Sequence, residues 1–107
     1  MEVFEKNFGK LVEIGDDYYE FSNMKLKIFL DIDLGCDEEW VTFEDDRSNG
    51  KKMIGQTIKK VEIFSATDAG SVTIVAKGGD CNKRSFKHYH NGYYTEEFRY
   101  RWDNKRK

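Results

Sequence analysis

The stretch Met24–Leu34, MKLKIFLDIDL, decides the fold. Its even-numbered residues are all apolar, and its odd-numbered residues are all charged except Phe29. An apolar residue at every second position is typical of a β-strand that buries one face and leaves the other in water. The stretch therefore predicts a long strand, whose Lys25, Lys27 and Phe29 side is mostly solvated.

Shorter segments with the same period extend this pattern along the chain. The further predicted strands are Lys10–Ile14, Tyr18–Ser22, Glu39–Asp45, Thr57–Ser65, Val72–Lys77, Phe86–His90 and Tyr93–Trp102. Asn91-Gly92 predicts a hairpin between the last two, because both central residues of a type I′ turn need positive φ. A longer loop is expected at Ala66–Ser71.

Helical patterns are weak in this chain. An apolar stripe between Val3 and Val12 is interrupted by Gly9, and Asn49–Ile54 has room for one helical turn that Gly55 would stop. We therefore expect a mainly β protein, or an α+β protein with one or two short helices. Its about six or seven strands would form a single antiparallel sheet or a small barrel or sandwich.

The length of 107 residues predicts one domain, 1–107, with a flexible basic tail at Asn104–Lys107. No apolar run is long enough for a transmembrane helix. The first residues do not resemble a secretory signal, so we expect a cytoplasmic protein with no membrane partner. An exposed edge strand such as Met24–Leu34 would allow a homodimer.

The charges are unevenly distributed along the chain. Residues 1–81 have a balance of −7, whereas residues 82–107 have a balance of +5. Such a split is typical of a polyanion-binding segment, or of acids and bases that are solvated or face each other across a sheet. The second interpretation is favoured, and the first makes five residues candidate contacts for a partner or a nucleic acid: Lys83, Arg84, Tyr93, Arg99 and Arg101. Two of these, Lys83 and Arg84, lie in a glycine-rich segment, Gly78–Arg84, that is predicted to be a mobile loop.

The two histidines are candidate metal ligands. His88 and His90 are alternate residues of a predicted strand, so both imidazoles would lie on one face. Cys36 and Cys81 have the thiol chemistry that zinc accepts, but no spacing ties them to the histidines. The competing interpretation, two histidines beside a turn and two reduced cysteines, is favoured. No catalytic arrangement is assembled by the sequence, so neither an enzyme nor a cofactor is expected.

Several segments resemble a family of small uncharacterised phage and prophage proteins. They are Cys36-Asp37-Glu38, Val41–Asp45, Met53–Ile58, Gly70–Ile74 and Asn91–Glu97, which correspond to a cysteine-containing acidic motif, an "IG" turn and a "VTI…NGYY[ST]E" ending. The resemblance implies a phage or mobile-element origin and a cytoplasmic setting in a bacterial host.

These observations favour a non-enzymatic phage accessory protein that binds a host or phage protein, for example as an inhibitor of a host defence system. A small domain with segregated charge suits electrostatically steered binding. The alternatives are nucleic-acid or nucleotide binding through the basic C-terminal strand, and metal binding through His88 and His90.

Overall fold

The computed structural model describes residues 1–31, 39–45, 51–66, 69–90 and 97–103, with side chains at 1–29, 51–66, 70–85 and 99–103. Nine strands lie in these ranges: β1 (Glu2–Phe4), β2 (Leu11–Ile14), β3 (Tyr18–Phe21), β4 (Lys25–Asp31), β5 (Glu39–Asp45), β6 (Ile58–Ala66), β7 (Ala69–Ala76), β8 (Cys81–His90) and β9 (Glu97–Asp103). A helical turn at 51–53 is followed by Gly55, whose φ of 94° ends it as predicted. The predicted mainly β class is confirmed.

The strands form two antiparallel sheets. The five-stranded sheet has the order β1-β6-β7-β8-β5, and the four-stranded sheet has the order β2-β3-β4-β9. One hydrophobic core contains buried side chains from both sheets, so the fold is a small β-sandwich.

The core follows the predicted alternation. Leu26 and Ile28 of β4 are buried, whereas Phe29, on the other face of the strand, is exposed. On β9, Tyr100 and Trp102 pack against the core and Arg99 and Arg101 are exposed. The other buried apolar residues are Phe8, Leu11, Tyr19, Phe21, Met53, Ile58, Val61, Ile63, Val72, Ile74 and Ala76.

Two predicted strand relationships are wrong. β8 and β9 do not form a hairpin in the described residues, because β8 lies between β7 and β5 while β9 pairs with β4 in the other sheet. The Asn-Gly signal is local and does not identify a strand's partner. β4 is also not an edge strand, since β3 and β9 flank it, so it provides no edge for a homodimer.

The apolar stripe near the N-terminus belongs to strands rather than to a helix. β1 pairs with β6, with Phe4 opposite Val61, and β2 begins at Leu11. Gly9 lies between them with a φ of 74°, and a Cβ there would overlap the Ser22 hydroxyl. The helix-like spacing arises because the two short strands and their connection direct Phe4, Phe8 and Leu11 into the same core, whereas Val3 and Val12 are exposed.

Both predicted loops are shorter than expected. Ala66 pairs with Ala69, so only two residues separate β6 from β7. β8 begins at Cys81, because the preceding turn is closed by hydrogen bonds from the Ala76 amide to the Asp80 carbonyl (2.8 Å) and from the Gly79 amide to the Ala76 carbonyl (3.0 Å). Residues 81–84 therefore belong to a strand and not to a mobile loop.

A buried polar network joins the two sheets. The Tyr19 hydroxyl of β3 donates to Asn82 Oδ1 of β8 at 2.9 Å. The Arg84 side chain, from the same face of β8, lies 5.5 Å from the Tyr19 ring centroid. Its guanidinium donates to three main-chain carbonyls of the β2–β3 turn, those of Gly15 (2.6 Å), Asp16 (2.8 Å) and Tyr18 (3.2 Å). Arg84 thus fixes the turn that carries Tyr18.

Candidate nucleic-acid interface

The outer face of the four-stranded sheet carries a group of cations around an aromatic ring. Because Leu26 and Ile28 point into the core, Lys25, Lys27 and Phe29 of β4 point outward. Arg99 and Arg101 of β9 lie on the same outer face. We call these five residues the basic face.

The register between β4 and β9 places like charges side by side. Lys27 lies directly opposite Arg101, and Phe29 lies opposite Arg99. Residues that face each other in an antiparallel pair have Cβ atoms about 5 Å apart, so like charges there destabilise the sheet. Contact between the two cations does not itself stabilise the sheet, and Arg101 is held instead by Phe29 and Asp103. Two cations placed side by side are a candidate for a binding function.

Aromatic rings alternate with the cations. The Arg101 guanidinium lies 5.2 Å from the Phe29 ring centroid, and the Lys25 ammonium lies 4.3 Å from the Tyr18 ring centroid. Cation–π contacts hold cations over ring faces without neutralising their charge. The surface therefore presents positive charge next to exposed ring surface.

Tyr18 is held in place at the border of the basic face. Its hydroxyl donates to Glu13, and this hydrogen bond, together with nearby carboxylates, raises the pKa of Tyr18 to about 12. Gly15 leaves room for the ring, since a Cβ at this position would overlap it. The phenol therefore stays neutral at physiological pH.

Acidic residues limit the extent of the basic face. Asp103 forms an ion pair with Arg101 at 3.2 Å. Glu20 of β3 lies opposite Lys25, and Glu13 of β2 lies opposite Glu20. At the other end, the next register pair is Asp31 opposite Glu97. From Lys25 to Phe29 the face is about 14 Å long, at about 3.4 Å per residue.

The predicted contact residues do not form one surface. Arg99 and Arg101 belong to the basic face, but Lys83 is exposed on the outer face of the five-stranded sheet. Arg84 is 3% exposed, so the prediction of a surface contact at this residue is wrong. The residues next to Arg84 in the sequence do not indicate that the β2–β3 turn of the other sheet covers it. Tyr93 lies outside the described residues.

The predicted metal ligands are only partly described. His88 and His90 belong to β8 and lie opposite Val41 and Glu39 of β5. The side chains of both histidines, and the whole of Cys36, lie outside the part of the chain that the structure describes. Cys81 has an exposed thiol at the start of β8. The side chains that are described contain no group of three or more His, Cys, Asp or Glu residues placed to hold a metal ion.

The sequence predicts only that Lys25, Lys27 and Phe29 are solvated, because they alternate with core residues. Their position beside Arg99 and Arg101 depends on the pairing of β4 with β9. These strands are more than sixty residues apart in the sequence, and no local signal specifies such a pairing.

Comparisons of the chain with protein-family models, with curated proteins and with solved structures found no match. No helix among the described residues is both long enough and apolar enough to cross a membrane.

Proposed function

We propose that this chain is a non-catalytic binding protein that takes single-stranded nucleic acid on its basic face. The observation that carries the proposal is the like-charged pair Lys27 and Arg101, which lies in register beside the exposed Phe29 ring. A bound phosphate between the two cations would turn their repulsion into a favourable interaction.

The geometry favours a single strand over a duplex. Single strands are bound by cations that follow the backbone and by aromatic rings on which bases stack. The basic face has both, and its length of about 14 Å corresponds to about four stacked nucleotides at about 3.4 Å each. The Phe29 ring, 38% exposed, has a surface on which a base can lie.

Fluorescence anisotropy of a labelled oligothymidylate tests the proposal. If three phosphates are neutralised, affinity should fall about twentyfold between about 50 and 200 mM salt, since each contributes about −0.7 to the logarithmic slope. Arg101→Met should weaken binding and make the slope shallower by about 0.7. Phe29→Ala should weaken binding about tenfold through lost stacking.

The five-stranded sheet supplies matched controls. Phe64 is 41% exposed, nearly the same as Phe29, but lies on the outer face of the other sheet. Lys83 is an exposed cation on that same distant face. Phe64→Ala and Lys83→Met should leave binding unchanged. Absence of binding at low salt, or equal effects of the test and control variants, would refute the proposal.

A second candidate function is binding of a host or phage protein through a sheet edge. Among the described residues, β5 and β9 each have one neighbouring strand, and each is seven residues long. An edge strand of this length presents main-chain donors and acceptors to a strand of a partner. In such a complex, hydrogen exchange should show new protection of β5 or β9 amides, and protection confined to other strands would contradict this candidate.

A further inference from the structure

A second group of cations lines a cleft away from the basic face. The cleft has a volume of about 560 Å³ and is lined by residues of two distant segments, Glu5, Lys6, Asn7, Lys59 and Lys60. We call these residues the lysine cleft. Three of these residues are lysines and one is a glutamate, so the charge of the lining favours an anion.

The ammonium of Lys6 is held over aromatic rings. It lies 5.2 Å from the Trp102 ring centroid and 5.5 Å from that of Phe4. These rings fix the position of the cation without neutralising it, whereas Lys60 forms an ion pair with Glu62 at 3.0 Å. Lys6 and the exposed Lys59 are therefore the main candidates to contact an anion.

The segment that carries Lys6 is fixed by hydrogen bonds. Asn23 Nδ2 donates to the carbonyl oxygen of Asn7 at 2.8 Å and to its side-chain oxygen at 3.0 Å. The Phe8 amide donates to the Lys6 carbonyl at 3.0 Å, and the Asn23 amide donates to the Phe8 carbonyl at 3.1 Å. The cleft is thus preorganised, which lowers the entropic cost of binding a ligand.

We infer that the lysine cleft binds a phosphate group. The ammonium groups of Lys6 and Lys59 provide several donors and a positive charge, which suit a doubly charged tetrahedral anion better than a single carboxylate. Lys60 lies beside them in its ion pair with Glu62. The phosphate belongs either to a small phosphorylated molecule or to a polynucleotide. This site is separate from the basic face, because Trp102 and Arg101 project from opposite faces of β9.

Calorimetric titration distinguishes these two sources. Pyrophosphate and ATP are the small-molecule probes, and an oligothymidylate is the polymer probe. Saturable binding of pyrophosphate assigns the cleft to small phosphorylated ligands. Saturable binding of the oligothymidylate alone, weakened by Lys59→Met, assigns it to a polynucleotide. Fluorescence gives a second readout, because an anion bound at Lys6 should change the emission of the adjacent Trp102 ring. The measurement uses the Trp40→Phe variant, in which Trp102 is the one remaining tryptophan of the two in the sequence.

Matched lysine variants make the test specific. Lys59→Met should weaken binding about tenfold, the value of one hydrogen bond between charged groups. Lys52→Met, an exposed lysine of the helical turn outside the cleft, should have no effect. Lys27→Met should leave pyrophosphate binding unchanged, so that failure of the basic face and failure of the cleft are told apart. If no probe saturates, or if Lys59→Met binds like wild type, the inference is wrong.

Discussion

Replacement of Arg84 by methionine should destabilise the protein by about 3 kcal/mol. The guanidinium donates three hydrogen bonds to the β2–β3 turn, at 2.6, 2.8 and 3.2 Å. Each hydrogen bond to a charged group contributes about 1.5–3 kcal/mol, so the three together would exceed about 4 kcal/mol. The turn residue Asp16 is exposed, however, and water can replace part of what is lost. Methionine also keeps most of the apolar volume beside the Tyr19 ring.

Urea denaturation measures this loss. With a slope of roughly 1.5 kcal/mol per molar urea, about 3 kcal/mol lowers the unfolding midpoint by about 2 M. Arg84→Lys should lose most of the same stability, since an ammonium lacks the planar fork that reaches three carbonyls in different directions. The matched control is Lys83→Met, the exposed neighbour on the opposite face of β8, which should change stability by less than about 0.5 kcal/mol.

The result that would refute this reasoning is a loss below about 1 kcal/mol for Arg84→Met. Water or other groups would then satisfy the turn carbonyls equally well, and the network would not be what joins the sheets at this end. Wild-type stability of Arg84→Lys would show instead that the positive charge matters and the fork does not. The two variants therefore separate hydrogen-bond geometry from charge.

Three further predictions concern the turns and the basic face. The pKa of Tyr18 is raised from 10.0 to about 12 by its hydrogen bond to Glu13, so the associated stability is complete below pH 10 and is lost as the pH rises toward 12. The tyrosinate absorbance difference between wild type and Tyr18→Phe should titrate near pH 12, and lower in Glu13→Gln; titration near pH 10 would contradict the assignment. Gly9→Ala should cost about 1–3 kcal/mol in urea denaturation, because φ is 74° and the methyl group would overlap the Ser22 hydroxyl; an unchanged midpoint would count against it. Lys27→Glu should raise the free energy of unfolding by about 0.5 kcal/mol, because it places a carboxylate opposite an arginine, and should weaken oligonucleotide binding; a loss of stability would contradict the like-charge argument.

Features that depend on short-range periodicity could be predicted from the sequence. The alternation in Met24–Leu34 identifies β4 and its buried residues Leu26 and Ile28, and the same rule separates Trp102 from Arg101 on β9. Periodicity works here because every second side chain of a strand meets the same environment. It therefore predicts the faces of strands more reliably than their neighbours.

Features that depend on long-range pairing could not be predicted. Asn91-Gly92 predicts a hairpin between the segments that flank it, yet β8 and β9 belong to different sheets. The burial of Arg84 also depends on distant residues, since the carbonyls that it contacts lie near residue 16 of the chain. A charged residue in a strand pattern looks solvated unless the covering segment is known.

The separation of acids and bases along the sequence does not correspond to a separation of charged surfaces in the folded chain. The excess of bases after residue 81 does not form one surface: Arg84 is internal, Lys83 lies on one sheet, and Arg99 and Arg101 lie on the other. Lysines from the acidic part of the sequence complete the basic face, in β4, and supply all the lysines of the lysine cleft, in β6 and the β1–β2 connection. Sheet topology, and not the position of charge along the chain, therefore brings the cations together. A truncation that removes only the basic C-terminal tail should consequently leave both surfaces in place, whereas a single lysine replacement in β4 or β6 should weaken one of them.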